Sequence, residues 1–465
     1  MAKRHFPVRP NLEQLKHQAK DLLRAYRRGD SEAVEDFREY LVKLTDEDSR
    51  LPGPNTGTWG TRESRDDKKR QTGEESGFPG FRRGTSCAQT EQVQLADAQF
   101  VLARSYGLPS WARLVTACRM TDAIWRGDVD AVRAMVVKDP KLIVENARGV
   151  EQSNWGPPMS YAANLGQDAI IELLRELGAA DLESAFNRAC LQGQTGTARR
   201  LHKMMGSPRP RDGALTDPAY TLNVEGTALL LELGARVCDD DGKRVAPVHM
   251  VLETDSRNPA AKHRILELYA EHGFVYPDTA VMAVHRGRVD LLEEHVQRDP
   301  ELLRRRFSWE EIFPPEMGCH DEVLATHGTP LGGTTLLHIC VDYDEMEIAR
   351  WLLDRGMDVN VPATVDAEGF GGHTALFSTV VSQPNFWMNH HGRVAEAPFT
   401  RLLLDRGAAV NVRASLKKEL HPGYEIPGLF EYRDVKPVSW GERFHFRKLV
   451  NEKAVEMIRE SGGVA

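Results

Sequence analysis

Two short phrases of apolar and polar positions recur along the chain, and together they predict its elements. The first reads Gly127-Asp128-Val129-Asp130, then Val136, Asp139-Pro140 and Leu142. It returns at the same offsets as Gly287-Arg288-Val289-Asp290, Val296, Asp299-Pro300 and Leu302. A shorter version, Arg28-Gly29-Asp30-Ser31-Glu32-Ala33-Val34, parallels the stretch from Arg126 to Val132. The second phrase is an apolar pair followed within a turn by glycine. It occurs as Leu173-Leu174 with Gly178, Leu230-Leu231 with Gly234, Leu352-Leu353 with Gly356, and Leu403-Leu404 with Gly407. Looser copies are Leu268-Tyr269 with Gly273 and Met457-Ile458 with Gly462. The pair marks a buried helix face, and the glycine takes the left-handed position just past the helix end. Joined, the phrases predict helical hairpins. One hairpin is too small to bury its own apolar face, so the units must stack.

The pattern is interrupted in places. Residues 11–27 read as an amphipathic helix with Leu12, Leu15, Ala19, Leu22 and Leu23 on one face, and a second helix is expected from about 31 to 44. Residues 46–91 are rich in Gly, Pro, Ser, Thr and mixed charge, and read as a disordered insertion. Helical signals return from Leu95 to Tyr106-Gly107 and from Trp111 to Met120. Farther on, the closing glycines lie 39 to 83 residues apart. That exceeds the roughly 33 of a short two-helix repeat. Extra loops are therefore expected at 207–226, 303–333, 382–397 and 412–440, with a final half-repeat or cap from Trp440 to Gly463.

The best-formed unit runs Thr335-Leu336-Leu337-His338-Ile339-Cys340, continues through Ile348 to Leu353, and closes as Gly356-Met357-Asp358-Val359-Asn360. The next begins Thr374-Ala375-Leu376-Phe377 and closes Gly407-Ala408-Ala409-Val410-Asn411. Partial copies start at Pro158 and at Ala246-Pro247-Val248-His249. These residues resemble the ankyrin repeat, and the helical pieces ahead of them resemble the leader found on many bacterial ankyrin-repeat proteins. The resemblance implies an all-α fold: a solenoid of stacked hairpins with irregular insertions and an N-terminal helical cap. Its expected parts are a leader over 1–45 and 92–120, the insertion at 46–91, and a divergent array with a C-terminal cap over 121–465. It implies structural roles for Thr335, Leu337, His338, Gly356, Thr374, Leu376 and Gly407. His338 then bonds to backbone between repeats, and His338 and His249 are structural and not catalytic.

Composition narrows the function. The chain has 465 residues, 41% of them hydrophobic and 28% charged, with a net charge of −8. That balance argues against general nucleic-acid binding, which needs a basic face. The N-terminus shows no apolar secretion segment, and none of the six cysteines forms a C-x-x-C pair. A cytoplasmic, monomeric protein without cofactor, metal or membrane contact is expected. No P-loop, H-E-x-x-H or G-x-S-x-G is present. Gly369-Phe370-Gly371-Gly372 reads as a finger turn between repeats, and Asp239-Asp240-Asp241-Gly242 as a solvated turn. His390-His391 with His373, and Cys319-His320 with His327, could suggest metal; surface loops explain them more simply. Arg304-Arg305-Arg306 reads as a solvated helix end. Candidate partner contacts are Trp155, Trp309, Phe386, Trp387, His390 and His391, because exposed aromatics anchor interfaces. The simpler alternative is that such tryptophans pack back on the array. The function expected is that of an interaction scaffold, no enzyme, binding an unknown protein on the concave face and inserted loops. The alternative is a small-ligand binder or enzyme whose site the long loops form together.

Overall fold

The computed structural model describes residues 4–41, 93–150, 154–322, 328–382, 396–420 and 428–465. Among them it divides into two compact units, each described by itself. The first takes residues 1–162 and 169–180, the second 163–168 and 181–465.

The first unit opens on three helices, α1 (Leu12–Arg27), α2 (Ser31–Leu41) and α3 (Leu95–Ser105). Asn11 caps α1 by accepting from the Gln14 N–H at 3.1 Å. Leu15, Ala19, Leu22 and Leu23 of α1 are buried, the face its periodicity predicts. They join Phe37 of α2 and Val101 and Leu102 of α3 in one apolar cluster. The next helix, α4 (Trp111–Arg126), runs six residues past the predicted Met120 and ends on Gly127 at φ 68°. It pairs with α5 (Val129–Lys138), which closes in a short turn over Pro140–Ile143. A second hairpin follows from α6 (Pro158–Ala163) and α7 (Asp168–Glu176).

The second unit is a run of helical hairpins. They are α8 (Leu182–Leu191) with α9 (Thr195–Met204), α10 (Thr216–Tyr220) with α11 (Val224–Glu232), and α12 (Val248–Leu252) with α13 (Pro259–Glu271). Then come α14 (Ala280–His285) with α15 (Val289–Arg298), α17 (Leu336–Asp342) with α18 (Met346–Asp354), and α19 (Ala375–Val380) with α20 (Pro398–Asp405). The final pair is α21 (Pro437–Arg443) and α22 (Glu452–Glu460). First helices contact first helices along the run: α8 meets α10, α10 meets α12, α14 meets α17, α17 meets α19, and α19 meets α21. Such nearest-neighbour stacking is how a hairpin without its own core becomes stable. The fold is mostly helical, as expected.

Three expectations need correction. The chain is not all-α. Residues 414–420 and 428–435 form an antiparallel pair of strands, β1 (Ala414–Leu420) and β2 (Gly428–Val435), within the stretch read as a loop at 412–440. The period-two alternation of Leu416 and Lys418 against Phe430 and Tyr432 is the strand signal that the helical reading passes over. The stretch 207–226 holds α10, a first helix without the Thr-x-Leu-His opening, so it continues the stack. The stretch 303–333 contains a short helix, α16 (Trp309–Ile312).

The inserted elements matter because of where they lie. Every residue of α14, α17 and α19 is buried. A first helix in a stack is flanked by two neighbours and backed by its own second helix, which leaves a fourth side open. Here that side is covered. Phe313, just past α16, packs on His285 of α14 at 5.5 Å and near Tyr343 at the end of α17. Thr329 bonds the Phe377 and Val381 carbonyls of the α19 segment, and in turn accepts from Trp440 Nε1 at 3.2 Å.

Candidate functional site

Successive turns between hairpins are tied edge to edge. Phe307 N–H donates to the Thr334 carbonyl at 2.7 Å, and Gly333 N–H returns to Phe307 at 2.8 Å. Thr364 N–H then donates to Gly333, and Gly371 N–H to Ser415 at the start of β1. Between these steps, residues 363–373 fold back on themselves. Ala363 donates to His373 and Asp366 to Phe370. The Asp366 carboxylate accepts from the N–H of Glu368 and of Phe370, both at 2.9 Å, and rounds the tip. Gly371 is needed here. A Cβ would stand 1.9 Å from the Thr364 carbonyl oxygen, and φ is 122°. The run Gly369–Gly372 is thus a finger turn, as the sequence reading had it.

The β1–β2 hairpin lies beside this finger, bridged to it at Gly371 and Ser415. A cleft of about 890 Å³ opens beside it. Arg306 to Glu311 line one wall, Glu322 and Pro330 to Gly333 the floor, the finger from Thr364 to Gly371 a second wall, and β1 with Leu429 and Glu431 of β2 the third. Two insertions expected to project, 303–333 and 412–440, therefore meet at one place. Most of a third, 382–397, lies outside the described residues.

Each wall is fixed by local chemistry. Ser308 and Glu311 form a capping box that starts α16, with the Ser308 N–H on Glu311 Oε2 at 2.8 Å and the Glu311 N–H on Ser308 Oγ at 3.3 Å. Glu322 Oε1 accepts from the N–H of Leu331 and of Gly332. Lys417 Nζ lies 2.7 Å from Glu368 and 3.1 Å from Asp366, pinning β1 to the finger tip. On the opposite face of β1, Lys418 is buried. Burial pushes its ammonium down to about 8, opposed by the negative charge of Glu322 and Asp342. Seven carboxylates and three basic groups line the cleft in all, so its walls are acidic on balance.

The residues named from sequence are distributed as follows. Trp309 stands at the cleft but is buried, its Nε1 donating to the His320 carbonyl at 2.8 Å and its ring 4.4 Å from Phe313. Trp155 is buried against Tyr161 at 5.0 Å in the first unit. Both pack inward. Phe386, Trp387, His390, His391 and His327 lie outside the described residues. His373 is buried and donates Nε2–H to the Pro330 carbonyl at 3.0 Å. His320 pairs with Glu253 at 2.9 Å, with the His249 ring 5.6 Å away. Arg304 and Arg305 pair with Glu301 and Glu311. Among the described residues no group of three His, Cys, Asp or Glu side chains could hold a metal ion. The cleft residues Lys417, Lys418, Glu419 and Glu431 were missed from sequence, although the strand alternation could have pointed to them.

The best-formed repeat shows why its signature residues are placed as they are. His338 Nδ1 accepts from the Thr335 hydroxyl at 2.9 Å and from its N–H at 3.3 Å. Its Nε2–H donates to the His373 carbonyl at 3.2 Å, one repeat onward. Burial, with His373 and Arg306 nearby, holds His338 down to about 3, so the ring is neutral and keeps this tautomer. Leu337 and Leu376 are buried, Thr374 precedes α19, and Gly356 and Gly407 end α18 and α20 at φ 85° and 81°. Residues 332–363 match the ankyrin-repeat family model. This ankyrin repeat supplies Gly332 and Gly333 of the cleft's floor, and α17 belongs to it. Among solved structures, the chain is similar to the human ASB11 ankyrin repeat domain at 15% identity. The match covers 62% of this chain and 98% of that one, with a TM-score of 0.21. No curated protein matches the chain. No helix among the described residues is long and apolar enough to cross a membrane.

Proposed function

We propose that this chain is a protein-binding scaffold whose partner docks at the cleft beside β1. Ankyrin repeats generally mediate protein–protein interaction, and the start of an ankyrin repeat contributes Gly332 and Gly333 to the cleft's floor. The observation that carries the choice of face is the complete burial of α14, α17 and α19. A partner seeking the first helices of this stretch meets inserted chain instead. The accessible recognition surface is the one that two insertions and a finger turn form together. Leu429 stands 57% exposed at its rim and offers an apolar contact among charges. We assign the cleft binding and no reaction.

A photo-crosslinking residue at Leu429 tests this against one at Val275, a more accessible apolar position, 82% exposed, between α13 and α14. The expected result is a discrete protein adduct from position 429 that position 275 does not give. Identical adducts from both positions would overturn the reading. A second reading has one specific support: a cleft of about 890 Å³ lies in the size range of small-ligand sites. A small molecule retained in native mass spectrometry, without any protein adduct at 429, would favour that ligand binder.

A further inference from the structure

The first clue is an unfinished ladder. Ser415 turns both its N–H and its carbonyl toward Gly371, at 3.2 and 2.6 Å. In a strand the backbone polar groups alternate sides with period two. Lys417 and Glu419 therefore aim their N–H and carbonyl groups the same way as Ser415, away from β2. The irregularity in the hairpin does not disturb this. Between Ala414 and Leu416 of β1 the partner strand spends an extra residue, and Asp434 there takes φ 52°, so the bulge belongs to β2 and β1 stays regular. The finger that occupies Ser415 reverses at Asp366, where it holds the Lys417 side chain and not its backbone. Among the described residues no further backbone hydrogen bond reaches the outward groups of Lys417 and Glu419. The open edge lies at the cleft, because both residues line it.

An open strand edge is a template for another strand. The common defences are a charged side chain turned inward, a bulge on the edge strand or a cover. The bulge is on the wrong strand here, and Lys418 is turned inward but lies on the face packed against the fold. Resting on the protein-binding reading above, we propose that β1 takes up an extended segment of the partner as an added strand, paired to the outward groups of Lys417 and Glu419. Main-chain bonds give such a mode its affinity and alternate side chains its specificity. The cleft favours basic side chains. Its carboxylates outnumber its basic groups, and both exposed faces of the added strand would run beside them: Glu310 on one wall, Glu419 and Glu431 on the other. The partner segment is thus extended, free of proline, and carries lysine or arginine at alternate positions.

The test uses the full chain and a fluorescent peptide that alternates lysine with threonine and valine, compared with a glutamate-for-lysine analogue. Two further copies of the basic peptide carry backbone N-methyl groups, either on one set of alternate residues or on the other. An added strand predicts binding of the basic peptide and about tenfold weaker binding of the acidic one. It also predicts that one N-methylated copy loses about tenfold while its isomer is unaffected, since only one set of N–H groups faces β1. Amide exchange at Lys417 and Glu419 slows on binding. Glu419→Pro, which removes an outward donor and no bond to β2, costs about tenfold, with an unchanged melting curve reporting that the hairpin stays folded. Equal binding of both N-methylated isomers, or unprotected amides at 417 and 419, overturns the added strand while a partner adduct at 429 still upholds the scaffold. Failure of every peptide likewise overturns the inference, and the scaffold reading falls only if the adduct is missing too.

Discussion

The phrase around Gly127 and the phrase around Gly287 fold alike. Their glycines take φ 68° and 67°. Asp139 sits at φ −137°, ψ 90°, and Asp299 at −140°, 89°; each carboxylate caps the turn that follows, through the N–H of Lys141 and of Glu301. What stands two residues before the glycine is different. In the first unit it is Trp125, whose Nε1–H donates to Tyr161 Oη at 2.7 Å; the Tyr161 O–H in turn donates to the Val8 carbonyl at 2.8 Å. In the second unit it is His285. Its Nε2–H donates to the carbonyl of Ile312, in the inserted segment, and its Nδ1 accepts from Lys262 at 2.9 Å. Lys262 is buried 3.6 Å above the Tyr343 ring, next to the buried pair Arg257–Asp342 at 2.9 Å. One site is a neutral relay, and the other is a knot of buried charge that an insertion has closed over. The short phrase dictates the hairpin; what packs across its end decides whether a polar residue there is ordinary packing or a held charge.

The charged knot should be the more fragile, and its central pair gives the largest effect. Asp342→Ala leaves the Arg257 guanidinium buried beside Tyr343 with its counter-charge gone. A loss of about 3–5 kcal/mol is expected, read from urea unfolding. Replacing both members, as Arg257→Met with Asp342→Leu, should restore most of it; a double variant as unstable as the single one would break the comparison.

Next in size is a dependence on pH. Burial pushes Lys262 down to about 7, with Glu345 and Asp342 opposing the shift and Arg257 adding to it. The groups facing it include His285 and Tyr343 as well. Between about pH 7 and pH 10 the unfolded lysine holds a proton that the folded one lacks. Stability therefore rises with pH across that window, by at most about 1.4 kcal/mol per pH unit from this group. Lys262→Met should flatten that slope relative to the parent, and parallel curves would remove Lys262 as the cause. The buried histidines in and beside the ankyrin repeat act with the same sign in a lower window. His338 and His373 are held down to about 3 and about 4 by burial, so their contribution is present above about pH 6.5 and drains away as pH falls toward 3. His338→Gln should lower stability near neutrality by about 1–3 kcal/mol and blunt the acid-side decline.

These contrasts also show what was legible in the sequence and what was not. Helix ends were, because an apolar pair and a glycine act locally: Gly356 and Gly407 take the left-handed φ that their positions predict. The role of His338 was as well, since its partners lie three residues away and one repeat on. The cleft was not. Its walls come from residues 306, 332, 366 and 417, joined by long-range bridges between turns and by side-chain pairs such as Lys417–Asp366, and no local period announces such contacts. The strands were legible in principle, yet a loop reading won because their alternation is short and rich in charge. Lys262 was hidden for a different reason. On the sequence of α13 it is an ordinary helix lysine, and only the packing of His285 and Tyr343 around it shows it buried.

The neutral relay gives the smallest and most discriminating effect. Trp125→Phe keeps an aromatic ring at the position but removes the donor to Tyr161. The Tyr161 hydroxyl still has the Val8 carbonyl to donate to, so no buried polar group is left wholly unmet. The cost should therefore be that of one net hydrogen bond plus slight repacking, about 0.5–1.5 kcal/mol. Burial pushes the Tyr161 hydroxyl up to about 12, and the Trp125 donor opposes that shift, so its loss moves the phenol further up and adds no titration near neutrality. Thermal unfolding of Trp125→Phe at pH 6 and pH 9 should give the same small shift from the parent at both. A shift that grows between those pH values would mean that a charge is held at this position too, and the two copies of the phrase would then differ in degree and not in kind.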